Sequence, residues 1–162
     1  MTGKTERQYR VQGDGWRADA IAKTHLRAGT LAEYGQVEVQ VRLRDDRTAH
    51  LTITARGDGL ERAEFTCESD AAEAESLLRH CGERLVELVR HTVRSGARTW
   101  QVDRYRGRLA GLTLAQLELA RDDPGPKPSD WPAWVAADVT GDPAYSLQGL
   151  AAAGVPPFEK AP

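Results

Sequence analysis

Long apolar runs are missing from this 162-residue sequence, and no stretch approaches the roughly 20 residues that a membrane-spanning helix needs. The first ten residues, Met1 to Arg10, are polar and lack the apolar core of a secretory leader, so a cytoplasmic protein is expected. Cysteine is scarce as well. Cys67 and Cys81 are too few for a disulfide framework or a complete zinc site, and both are expected to be reduced thiols. The four histidines, His25, His50, His80 and His91, show no metal-ligand spacing. No serine or cysteine sits in a nucleophile motif, and Gly13-Asp14-Gly15 lacks the strand and helix that a phosphate loop requires. An excess of positive charge is absent too. The net charge of −2 gives no basic footprint, so neither nucleic acid nor a membrane is an expected partner. Lysine contributes little of the positive charge, which falls on arginine, whose planar fork suits phosphate and carboxylate.

What the sequence does contain is alternation. Val37, Val39, Val41 and Leu43 oppose Glu38, Gln40, Arg42 and Arg44, the period of a strand. Leu51, Ile53 and Ala55 alternate with His50, Thr52, Thr54 and Arg56, and Ala63, Phe65 and Cys67 with Arg62, Glu64, Thr66 and Glu68. Asp45-Asp46 and Gly57-Asp58-Gly59 separate these runs as turn signals, giving an antiparallel meander. A helix follows, capped by Ser69 or Asp70, carrying Ala71, Ala72, Ala74, Leu77 and Leu78, and stopped by Gly82. Leu85 to Val93 and Arg98 to Tyr105 read as a hairpin around Ser95-Gly96, and Leu112 to Leu119 as a further strand. Asp122 to Pro132 holds four prolines and reads as a loop, and Pro143 to Ala152 as a short helix. Trp16 and Trp100 are expected in the core, Trp131 and Trp134 over the mouth of any tunnel. Residues 1–162 show no second domain boundary. Two architectures fit this pattern: a sheet with one solvated face, or a closed barrel whose polar face lines a lumen.

Several segments, in order, resemble the CYTH, or triphosphate-tunnel, family. Glu6-Arg7-Gln8-Tyr9-Arg10-Val11 is similar to its first strand, Leu51-Thr52-Ile53 to its L-T-I segment and Arg62-Ala63-Glu64-Phe65 to its R-x-E-F strand. Thr99-Trp100-Gln101-Val102-Asp103, Ala115-Gln116-Leu117-Glu118-Leu119 and Val139-Thr140-Gly141-Asp142-Pro143 match later family segments. The resemblance covers nearly the whole chain. It implies an α+β fold, an eight-stranded antiparallel barrel with flanking helices, whose polar tunnel binds triphosphates with magnesium or manganese.

The family's pattern is broken in places. Its E-x-E-x-K signature becomes Lys4, Glu6 and Gln8, and Gln40, Thr54, Leu88, Gln101 and Gln116 stand where charged residues are usual. Magnesium draws one or two ligands from carboxylates, and Gln116 removes one of them. No intact metal site is therefore expected, and at most weak magnesium binding. By resemblance, Arg27, Arg42, Arg56, Arg62 and Arg90 line the tunnel with Glu6 and Glu68, and Glu64 and Glu118 are the candidate catalytic carboxylates. These charges could instead form a self-satisfied network. The leading expectation is a repurposed biosynthetic enzyme that binds a polar or anionic small molecule and performs acid–base rearrangement, cyclisation or elimination without the metal. The alternatives are a magnesium- or manganese-dependent triphosphate hydrolase and a non-catalytic binding domain. A monomer or homodimer is expected.

Overall fold

The computed structural model describes residues 4–57 and 62–158, and only the backbone of Lys4, Arg56 and Arg62. Asp58 and Gly59 of the expected turn lie outside the described residues. Nine strands form one antiparallel sheet: β1 (Lys4–Val11), β2 (Ala20–Tyr34), β3 (Val37–Arg44), β4 (Thr48–Arg56), β5 (Arg62–Ser69), β6 (Leu85–Ser95), β7 (Arg98–Tyr105), β8 (Thr113–Ala120) and β9 (Val135–Asp138). They are ordered β5-β4-β3-β2-β6-β7-β8-β1-β9. The expected barrel would need β5 bonded to the far side of the sheet. Among the described residues no ladder joins β5 to β1 or β9, so neither closure nor a count of eight strands is observed.

Helix α1 (Ala71–Cys81) packs on one face of β2, β3 and β4. Asp70 is its cap, its carboxylate accepting from the backbone of Ala72 at 2.8 Å and Glu73 at 3.3 Å, which satisfies two otherwise orphaned donors. Gly82 stops it at φ 55°. Ala74, Leu78 and Cys81 bury against Val41, Leu43 and Ala49. Gly29 of β2 permits this approach, because a Cβ there would lie 2.5 Å from Cys81 Sγ.

Outside β1, β6, β7 and β8 lies a second core of Tyr9, Trp16, Val93, Trp100, Val102 and Leu117. Trp134 stacks edge-on against Trp100 at 5.3 Å, and Trp131 against Tyr9 at 5.4 Å. These two indoles therefore complete the outer core, and do not cover a tunnel mouth as expected. A third core lies on the opposite face. There Val86, Leu88, Tyr105 and Leu114 meet Tyr145 and Leu150 from the terminal segment carrying α2 (Leu147–Ala153).

Candidate functional site

Alternation along the strands sends one set of polar side chains to the face opposite α1. That face encloses a cavity of about 460 Å³. Glu6 and Gln8 of β1 and Glu64 and Thr66 of β5 both border it, so the sheet curls until its two ends share one space. Tyr145, Ser146 and Leu147 contribute to its lining, above the apolar Leu26, Val86 and Leu88.

The deepest charges are already matched. Arg90 donates from Nε and Nη2 to the two carboxylate oxygens of Asp103, at 2.8 and 2.9 Å, and from Nη2 to Gln116 Oε1 at 3.0 Å. Asp103 is fully buried. Burial pushes its carboxyl up, with the facing guanidinium pulling against that push. Burial, and then the Asp103 charge, also push the Tyr105 hydroxyl up. This bidentate fork fixes Arg90 in one orientation.

On the opposite wall the balance differs. Arg42 and Arg44 border the cavity, both exposed, and among the described residues neither guanidinium makes an ion pair or a hydrogen bond. His50, paired with Arg42 across β3 and β4, borders the cavity beside them. Four arginines therefore border the cavity: Arg42 and Arg44 uncommitted among the described residues, and Arg90 and Arg27 already held by carboxylates. That arrangement suits an anion with several oxygens.

The other expected residues are dispersed. Arg27 borders the cavity, but its register partner is Leu43, on the α1 face. There its guanidinium is held by Glu75 of α1 and Asp46 of the β3–β4 turn, which raises its pKa through the Glu75 hydrogen bond. Glu68 is exposed and does not border the cavity. Glu118 lies directly opposite Glu6 in the β1–β8 register, yet it borders a separate hollow with Arg98, Thr99 and Gln101. The two carboxylates expected to be catalytic, Glu64 and Glu118, thus do not share one cavity. The side chains of Arg56 and Arg62 lie outside the description. Conversely, Asp103, Arg44, His50, Thr52 and Thr66 border the cavity without having been singled out. Their signal was parity, since Arg44, His50, Thr52 and Thr66 fall on the same strand face as Arg42 and Glu64.

No protein-family model matches the chain. It is 31% identical over 152 residues to an inorganic triphosphatase from Acetivibrio thermocellus, covering 93% of this chain and 94% of that protein. Its fold is similar to that of the inorganic triphosphatase NE1496, with a TM-score of 0.70 and 23% identity, covering 93% of this chain and 95% of the other. A conserved hypothetical protein from Pyrococcus furiosus also shares the fold, with a TM-score of 0.53 and 14% identity over 75% of this chain and 82% of its own. A relative at this identity along almost its whole length, together with the ordered motifs and a curled sheet around an arginine-bearing cavity, places the chain in the CYTH, or triphosphate-tunnel, family.

Proposed function

We propose that this chain binds a linear inorganic triphosphate in the concave cavity and hydrolyses it. The observation that carries this reading is its 31% identity to an inorganic triphosphatase over 93% of the chain. The relatives give no support to the expected metal-free rearrangement, cyclisation or elimination. They favour the triphosphate hydrolase that the sequence left as an alternative.

Phosphoryl transfer asks a protein chiefly for positioning and for charge stabilisation. Arg42 and Arg44 have free forks to grip phosphoryl oxygens, and Arg90, locked by Asp103, offers a fixed positive wall. Water attacks the terminal phosphorus and the bridging P–O bond breaks, so that phosphate and diphosphate result. Glu6 and Glu64 are the cavity carboxylates placed to take the proton that water gives up.

Magnesium or manganese is implied by the family. Among the described residues, however, no group of three or more His, Cys, Asp or Glu side chains could hold a metal ion. Asp103 already commits both oxygens to Arg90. The described residues alone do not make up a dedicated metal site, and no step runs through one.

The test is phosphate release from tripolyphosphate by the purified chain, with and without magnesium or manganese. Release is expected, and Glu64→Gln should slow it by about 10²–10⁴-fold with the fold intact. Absence of both release and tripolyphosphate binding under every condition would refute the proposal.

A further inference from the structure

Among the described residues, strand β5 ends the sheet with an unpaired backbone edge, and no element covers the outer face beside it. The register shows where cover stops. Helix α1 shields the cross-strand rows Val41–Leu51–Cys67 and Leu43–Ala49–Ser69. The next row, Val39–Ile53–Phe65, and the one after it, Val37–Ala55–Ala63 beside Tyr34, carry no helix. Phe65 is 62% exposed and Tyr34 89%, and Ile53 and Val37 are also exposed. An open edge with an apolar face is a template for a further strand.

We propose that this edge is a homodimer interface, in which β5 pairs antiparallel with β5 of a second copy about a two-fold axis at Phe65. The β5 sequence is complementary to itself in this register. Arg62 falls opposite the partner's Glu68, Ala63 opposite the partner's Cys67, and Glu64 opposite the partner's Thr66. The two outermost pairs thus join residues of opposite charge, which stabilises cross-strand pairs. Phe65 meets its own copy on the outer face, so one apolar row runs Val39–Ile53–Phe65 and continues through the same three residues of the second copy. Registers pairing odd with even positions would set the apolar face against the polar one. An axis at Cys67 would bring the two α1 helices together, whereas the axis at Phe65 sets the helix-covered half of one sheet beside the bare half of the other. The cavity gains from the pairing, because Glu64 borders it and the partner's Thr66 would lie across from Glu64.

The interface is independent of the triphosphatase reading, since its test reads mass and cross-linking and not phosphate release. Sedimentation equilibrium on the full chain should give twice the chain mass. Phe65→Asp should raise the dimer dissociation constant by about thirtyfold or more, the scale of a central interface residue. Circular dichroism and the melting transition confirm that the variant folds. Arg62→Glu should weaken the dimer, and Arg62→Glu combined with Glu68→Arg should restore it. Phe65→Cys should form an oxidised covalent dimer, because cross-strand partners lie within the roughly 4.4–6.8 Å Cα separation of a disulfide. A monomer at every concentration, or a dimer indifferent to Phe65→Asp that gives no Phe65→Cys cross-link, would overturn the proposal.

Discussion

The two walls of the cavity handle charge in opposite ways. On the β6–β7–β8 side, Arg90, Asp103 and Gln116 satisfy one another, with apolar Leu88 and Leu114 beside them and the terminal segment packed above. On the β3–β4 side, among the described residues, Arg42 and Arg44 stand exposed and uncommitted, and the sheet ends nearby in an open edge. The first wall is a structural anchor whose charges are matched by the fold. The second holds guanidinium groups that make no ion pair or side-chain hydrogen bond among the described residues. A guanidinium gripping Asp103 adds shape and fixed potential to the site, while a free guanidinium can give hydrogen bonds to an incoming anion.

The sharpest way to break this contrast is at Asp103. Asp103→Ala leaves Arg90 without its buried partner, and should cost about 3–5 kcal/mol of stability in urea unfolding. A loss near zero would mean that the two walls do not differ in kind. At Arg42 or Arg44 the pattern should invert. Alanine there should leave stability within about 0.5 kcal/mol, while tripolyphosphate affinity falls by about 1.5–3 kcal/mol, the worth of a hydrogen bond to a charged group. Titration calorimetry and melting curves on the same variants separate the two effects. Gly29→Ala tests the packing of α1 behind the open wall. The new methyl group would collide with Cys81, and the overpacking should cost about 1–3 kcal/mol.

The smallest effect concerns pH and belongs to the matched side. His91 stacks on Trp16 at a centroid distance of 4.8 Å, and burial lowers its pKa below the ordinary 6.5. The unfolded chain therefore takes up the proton first as pH falls. The histidine's contribution to stability is full above 6.5 and is lost progressively as pH drops through that value toward the folded pKa. A shallow decline in melting temperature over this range, flattened in His91→Gln, is expected.

Much of the sheet was legible because alternation survives in β3, β4 and β5, where one face meets α1 and the other meets polar space. The longest strand, β2, was not. Bulges at both of its ends shift the register, between Ala20 and Ala22 and between Thr30 and Ala32, so its apolar residues change parity along the run. Arg27 borders the cavity, but the same shifts hid its place opposite Leu43 and its hold on Glu75 and Asp46. His50 was set aside for lack of metal spacing, although its parity with Arg42 placed it on the cavity face. Asp103 was visible as part of a motif, but its bidentate hold on Arg90 depends on two strands meeting in register, Arg90 opposite Asp103. Sheet closure lay beyond the pattern altogether, because alternation reports faces and not edges.

Strand β1 pairs with β8 and β9, and with no strand between β2 and β7. The terminal segment is stapled to it by Gln8 donating to the Tyr145 carbonyl and Arg10 donating to the Pro156 carbonyl, across more than 130 positions of sequence. The β2–β3, β3–β4, β4–β5 and β6–β7 pairs are local hairpins, whereas β1 finds its partners only at the far end of the chain. Closing so long a loop costs more entropy than closing a hairpin, so that docking is expected late in folding. The cavity wall built from Glu6 and Gln8 on one side and Tyr145 to Leu147 on the other is consequently expected to be the last part of the site to assemble.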